Sequence, residues 1–256
     1  MNGSPRPPEP GGNPQGPGSP YHVSIQLATK TPLVTWILIG VCVLIYAVQY
    51  GTLTFLGTDL PAAYGAKVND LIIQGQLWRL VTPIFLHGSI IHIGFNMYAL
   101  YIIGPGLEQH YGHWKYLLLF MLAGMAGNLV SFWMSPAASY GASTSIFGLV
   151  AAEAVFVFQN RFMFGGRTRS ILTNLFIIVA VNLALGLSPG IDNWGHLGGL
   201  MGGLAFSWLG GPIYHVTGMM PDLHLVNSRP TNQTWLVGVG VVIVIGILTV
   251  LKIASS

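Results

Sequence analysis

Seven apolar stretches, at 33–50, 89–103, 116–134, 146–158, 171–187, 197–210 and 235–251, dominate the chain and are separated mostly by short polar connections. Several reach or approach the ~20 residues that a helix needs to cross a bilayer. In lipid, backbone polar groups must be paired inside a helix or around a closed barrel. These runs lack period-two alternation and are too long for barrel strands, so the chain reads as an all-α membrane protein with seven spans. With 52% hydrophobic and only 7% charged residues, it has too few charges to face water on every side. The first run follows the polar residues 1–32 and has no small-residue cleavage site after it, so it is read as a retained span and not as a signal peptide.

The formal charge is +3, but the basic residues form no long run, so the bilayer and not nucleic acid is the expected partner. With the N-terminus in the cytoplasm, Arg6, Lys30, Lys115, Arg161, Arg167, Arg169 and Arg229 fall inside, and Lys67, Arg79 and Lys252 fall outside. The positive-inside rule therefore predicts a multi-pass protein of the cell membrane with a cytoplasmic N-terminus and an outer C-terminus. Cys42 is the only cysteine, which excludes an intrachain disulfide. The Pro/Gly-rich start, "MNGSPRPPEPGGNPQGPGSP", cannot bury enough surface to offset its ordering entropy, and 1–32 is expected to be disordered. The long connection 52–88 keeps aromatic and apolar residues and ends "QLWRLVTPIFLHGS". It is expected to pack into the membrane boundary, with Trp78 at headgroup level and Arg79 anchoring it to backbone carbonyls; an ordinary interfacial Trp-Arg pair is the alternative.

Polar groups inside apolar runs are costly and face a cavity or a partner. In "HGSIIHIGFNMYAL", Ser89 can cap a helix on which His92 and Asn96, four residues apart, share one face near the outer end. Both could equally serve as glue between helices. In "DNWGHLGGLMGGLAF", His196 lies four residues, or ~6 Å, beyond Asp192, among two small-residue ladders: Gly195, Gly199 and Gly203, and Gly198 with Gly202. The ladders explain close helix packing but not the histidine. In "YGASTSIFGLV", three hydroxyl residues, Ser143, Thr144 and Ser145, head another run. On the seven-span topology all these groups fall at similar depth, and a serine beside a histidine is the minimal activated nucleophile.

Taken together, "WR" at 78–79, "HIGFN" at 92–96, "GASTSIFGL" at 141–149 and "GHLGGLMGG" at 195–203, in that order, resemble the rhomboid family of intramembrane serine proteases. The resemblance implies a rhomboid-like six-helix transmembrane core over 33–212, with a linker at 213–234 and an appended seventh transmembrane helix in 235–256. It implies Ser143 as nucleophile, His196 as general base and acid, and His92 and Asn96 as oxyanion donors, near the outer boundary. It also implies single-span or polytopic membrane protein substrates that unwind easily and carry a small residue where they are cut. Thr144 stands where the common pattern has Gly, and Phe147, expected to stack on His196, stands where some relatives have Tyr. Thr144 and Ser145 are then left to local hydrogen bonding.

Glu153 lies ten residues beyond Ser143 and ~80° around the helix, too far to touch the dyad; it is expected to be protonated or bonded to a polar neighbour, with Asn174, at comparable depth, a candidate. A non-catalytic, client-binding relative is the alternative function; loss of the serine or histidine would favour it, and both are present. A transporter or haem protein would need charged midplane residues, internal repeats or paired ligands, and none is apparent. His87, His110, His113, His215 and His224 have no ligand spacing, so no metal and no cofactor are expected.

Overall fold

The computed structural model describes residues 31–219 and 223–256. The expected disorder of 1–32 lies, but for its last two residues, outside the described residues. The chain runs through α1 (Leu33–Leu56), α2 (Leu60–Gly65), α3 (Asn69–Ile73), α4 (Ile90–Tyr111), α5 (His113–Met134), α6 (Ser143–Gln159), α7 (Arg161–Phe164), α8 (Thr168–Leu185) and α9 (Asn193–Gly210). A two-stranded antiparallel hairpin, β1 (Tyr214–Thr217) and β2 (His224–Asn227), precedes α10 (Thr231–Ala254).

Each apolar stretch forms one long helix, giving an all-α membrane fold of six core helices and an appended seventh. Five are long and apolar enough to cross a bilayer alone: α1, α4, α5, the α7–α8 segment and α10. The other two, α6 with 17 residues and α9 with 18, are the ones packed against each other and α5 at the centre. Much of their surface meets protein, so they need neither the length nor the hydropathy of a lipid-facing helix.

The perimeter is apolar. Phe95, Ile102, Phe176 and Ile247 are exposed on helices, the reverse of a water-soluble surface. Tryptophans cluster near helix ends. Because successive long helices alternate in direction, Trp36, Trp114, Trp208 and Trp235 mark one boundary, and Trp133 and Trp194, with Trp78 in the preceding loop, mark the other. Such belts sit where an amphipathic ring meets lipid headgroups.

The centre depends on glycine. Between helices in lipid there is little hydrophobic drive, so close contact and hydrogen bonds must supply the association. A Cβ at Gly198 would stand 2.7 Å from the Ala126 carbonyl oxygen, and one at Gly127 would stand 2.6 Å from that of Gly195. At Gly199 and Gly203 it would collide with the backbone carbonyls of Thr144 and Gly148. The predicted ladders are thus the seams along which α9 lies on α5 and α6. On the far side of this core, α10 packs on α5 and α9, with the Thr234 hydroxyl donating to the Gly210 carbonyl at 2.8 Å.

The 57–89 connection is a folded cap. The Arg79 guanidinium, 2% exposed, donates to the carbonyls of Ala66 at 2.7 Å and Ala63 at 2.8 Å and to the Gln76 side chain at 2.8 Å. Charge-assisted bonds of this kind contribute ~1.5–3 kcal/mol each. The Trp78 indole donates to the Tyr64 carbonyl while its ring stays exposed. Within the 213–234 stretch, residues 214–217 and 224–227 pair as the hairpin, and α10 already begins at Thr231.

Gly199→Ala or Gly203→Ala should lower the melting temperature in detergent, by the ~1–3 kcal/mol or more that overpacking costs. Gly51→Ala, on α1 with nothing within 4 Å of its Cβ position, should leave it unchanged or slightly higher. Equal shifts at the three positions would contradict the close α6–α9 contact.

Candidate active site

Ser143 is the first residue of α6, and the residue before it, Ala142, offers no side-chain cap. The amides of the first turn therefore lack the side-chain acceptor that a Ser, Thr or Asp cap would provide. Ile146 N–H closes the first helical bond onto the Ala142 carbonyl at 3.0 Å. The positive end of the helix opens beside the Ser143 hydroxyl.

His196 comes from the first turns of α9. Its Nε2 stands 2.9 Å from the Ser143 Oγ, although the two residues are far apart in sequence. Its ring is 8% exposed and lies flat on Phe147, with centroids 4.4 Å apart and an interplanar angle of 8°. The Nδ1 of His196 is buried without a hydrogen-bond partner. The nearby carboxylate is already occupied: Asp192 Oδ1 caps α9 through the Gly195 N–H at 3.0 Å, and Oδ2 accepts from the Ser131 hydroxyl on α5. Serine and histidine thus meet without a third, carboxylate member.

His92 reaches the same place from α4. Ser89 caps that helix through the His92 N–H at 3.1 Å, as its position predicted. The imidazole Nδ1 accepts the Gly88 N–H at 3.4 Å, which puts the ring proton on Nε2. That nitrogen borders Gly141, where a Cβ would lie 2.8 Å from it and 3.5 Å from the Ser143 Oγ. Gly141 also has φ of 149°, so space and backbone together require glycine. Asn96 is buried one turn further along α4 and donates one amide hydrogen back to the His92 carbonyl at 3.1 Å. His92, Phe147 and His196 therefore converge on Ser143, while Asn96 is tied to its own helix with one N–H left over.

One expectation is corrected, and one candidate contact is absent. The Thr144 and Ser145 hydroxyls make no local hydrogen bonds; both oxygens are buried without partners. Their side chains fill the space that glycine leaves between helices, Thr144 against Gly127 and Gly195 and Ser145 against Gly124. Asn174, the candidate partner of Glu153, is exposed on α8 and makes no hydrogen bond to it.

Several supporting residues carry no signal in a single sequence. Lys67, wholly buried, donates to the carbonyls of Ser135 and Ala137 at 2.8 Å each, and its backbone pairs with Ser139 in both directions. Burial pushes its ammonium down to about 8, against the opposing pull of Asp192. Gly141 N–H then bonds to the Pro83 carbonyl at 2.9 Å, so the chain entering Ser143 is fastened at both ends to the 57–89 cap. His87 packs edge-on against His92 with centroids 5.2 Å apart, and burial, then the neighbouring His92, hold its own imidazole down to about 4. A lysine in a loop ordinarily reads as a solvated charge, and only the fold reveals its acceptors.

The rhomboid domain model matches residues 74–213, more than half of the chain and all of the convergent residues. The chain belongs to the rhomboid family. It is 41% identical over 173 residues to Rhomboid protease GluP of Bacillus subtilis (strain 168), covering 67% of this chain and 34% of that protein. It is 33% identical over 176 residues to RHOMBOID-like protein 9, chloroplastic, of Arabidopsis thaliana, covering 68% and 41%. Rhomboid-like protease 3 of Toxoplasma gondii is 34% identical over 191 residues, covering 74% and 70%. The chain thus spans 34% and 41% of the length of the first two of these rhomboid relatives. Rhomboid membership places α4 to α9 inside the family domain, with α1 and α10 flanking it.

Lys67→Met should strand two carbonyls, at a cost of ~1–3 kcal/mol each, and lower the melting temperature. Hydrogen exchange should quicken in 135–141 before it does in α5. Asp70→Asn, an exposed change at a side chain that makes no hydrogen bond among the described residues, should alter neither.

Proposed function

We propose that this chain is an intramembrane serine endopeptidase that hydrolyses peptide bonds of membrane-spanning proteins with a Ser143–His196 dyad. The observation that carries the reading is the 2.9 Å approach of His196 Nε2 to the Ser143 Oγ at the uncapped start of α6. It is supported by family membership and by relatives named as rhomboid proteases in a bacterium and a protist.

In this reading the Ser143 Oγ attacks the scissile carbonyl carbon while its proton passes to His196 Nε2. The carbonyl oxygen becomes an oxyanion facing the first-turn amides of α6, the Nε2–H of His92 and the free amide hydrogen of Asn96. His196 then returns the proton to the leaving amine, and the C–N bond breaks. Water attacks the acyl-enzyme ester by the same route, restoring Ser143. Phe147 keeps the imidazole plane fixed by stacking, a task that a carboxylate performs in triads. Gly141 keeps the approach to Ser143 clear, and a small residue in the substrate suits so closely bounded a site.

The catalytic membrane domain is assigned to 33–212, with 235–256 as an added span. The basic residues at the α7–α8 corner support a cytoplasmic boundary there, and on that reading the dyad opens to the outer side of the cell membrane.

Ser143→Ala and His196→Ala should each abolish cleavage of a co-reconstituted transmembrane substrate without loss of folding, because the two act as a unit. Asn96→Ala and His92→Ala should slow labelling of Ser143 by a fluorophosphonate and reduce cleavage by up to ~10²–10³. A fall in melting temperature large enough to explain the lost activity would return His92 and Asn96 to a packing role. Labelling of the Ser143→Ala protein, or cleavage by it, would leave a client-binding or differently catalysed protein.

Sidedness has its own test. In a Cys42→Ser background, Gly166→Cys and Asp70→Cys should react with an impermeant thiol reagent from opposite faces of cells, Asp70→Cys from outside. Inverted reaction would keep the helices and move the dyad to the cytoplasmic face.

A further inference from the structure

At the end of the bundle opposite Ser143, a pocket flanked by two arginines joins an apolar groove. The groove lies between α6, α8 and α9, encloses about 630 Å3 and is lined wholly by apolar side chains, among them Val150, Ala154, Val179 and Leu204. The pocket, about 540 Å3, lies at the α7–α8 corner and is lined by Arg161, Arg169, Thr168 and the backbone of Gly165 and Gly166. Phe158, Leu172 and Phe176 line both, so the two are continuous. Each volume falls within the ~300–1,000 Å3 of ligand-sized clefts.

The chemistry of the two parts specifies the occupant. Arg161 lies over the Phe158 ring at 5.8 Å, and Phe158 in turn stacks on Trp208 with centroids 5.8 Å apart. Neither Arg161 nor Arg169 has a carboxylate partner among the described residues, and no acidic side chain lines the pocket. Two unpaired guanidinium groups at a membrane boundary suit a phosphate. Along α6 the groove extends from Val150 to Phe158, eight residues or ~12 Å. That is close to the ~15 Å of one leaflet's hydrocarbon, half of the ~30 Å core. A free phosphate has no use for such a groove. The helix that forms the outer wall, α8, has no buried residue and packs mainly on α6, so a chain in the groove is a contact that α8 otherwise lacks.

We propose that an anionic diacyl phospholipid binds in this cleft, its phosphate on Arg161 and Arg169 and one acyl chain between α6, α8 and α9. The site is separate from the dyad and does not depend on the proposed proteolysis. The lipid acts as a wedge that sets how α8 stands against the core.

The test is native mass spectrometry of the full chain in detergent with added phosphatidylglycerol, phosphatidylcholine or inorganic phosphate. Wild type should retain phosphatidylglycerol in preference to phosphatidylcholine, and inorganic phosphate should not compete at equal concentration. Each basic residue contributes roughly fivefold to an anionic lipid, so Arg161→Gln with Arg169→Gln should cut the retention of phosphatidylglycerol about 30-fold. Ala154→Phe, which fills the groove and leaves the arginines, should lose the lipid as well. Both arginines are exposed and neither guanidinium makes a hydrogen bond among the described residues, so these changes should lower the melting temperature in lipid-free detergent by no more than the loss of the exposed Arg161–Phe158 contact. Equal retention of the two lipids by wild type, undiminished preference in the double variant, or full retention by Ala154→Phe would each overturn the proposal. Competition by inorganic phosphate at equal concentration would reduce the site to an anion pocket and overturn it too.

Discussion

The close approach of α9 to α5 and α6 is the contact on which the rest of the molecule depends. Glycines at 198, 199, 202 and 203 let the α9 backbone come within van der Waals range of the carbonyls of its neighbours. A methyl group at Gly199 or Gly203 would push the helices apart. The Ser143 hydroxyl and the His196 imidazole sit at one end of this seam, and their separation is set by it. Since lipid offers no hydrophobic drive for helix association, the geometry of the pair is fixed by how small the intervening residues are. Larger side chains would strengthen neither the fold nor the site.

A second constraint comes from the cap formed by 57–89. Arg79 and Lys67 are buried cations whose donors go to backbone carbonyls, Arg79 within the cap and Lys67 across to the segment before α6. Carbonyls at membrane depth that belong to no helix need such partners, because water cannot reach them. The cations therefore make irregular backbone tolerable beside the dyad. Ser131 and Asp192 do the equivalent work on the other side, joining α5 to the start of α9.

The two ends of the bundle differ in kind. The Ser143 end is built from buried polar side chains whose bonds are directed inward, with helix starts at Ile90, Ser143 and Asn193 facing one place. The Arg161 end is built from exposed arginines over an open groove, next to the least buried helix. One end is arranged for geometric precision about a reacting atom, the other for contact with a chain that conforms to its container. α8 runs from the groove at one end to the start of α9 at the other, where the Asn193 side-chain amide donates to the Leu183 carbonyl at 2.9 Å.

The sequence by itself determined the seven helices, because backbone pairing in lipid leaves no other structure for runs of that length, and it determined which polar residues share a depth. Ser89 as a cap, Arg79 as an anchor, and the two glycine ladders were legible for the same local reasons: a capping residue, a boundary cation and helical spacing each act over a few residues. The approach of Ser143 to His196 was legible only as a likeness of motifs, since residues 53 apart in sequence come together through packing. Thr144 and Ser145 could not be assigned from sequence, because a hydroxyl at a helix start suits a hydrogen bond as well as a snug fit between glycines. Lys67, His87 and the 214–227 hairpin were also decided by tertiary structure. A buried lysine differs from a solvated one only in the carbonyls that meet it, and those carbonyls lie on the loop between α5 and α6, nearly seventy residues downstream.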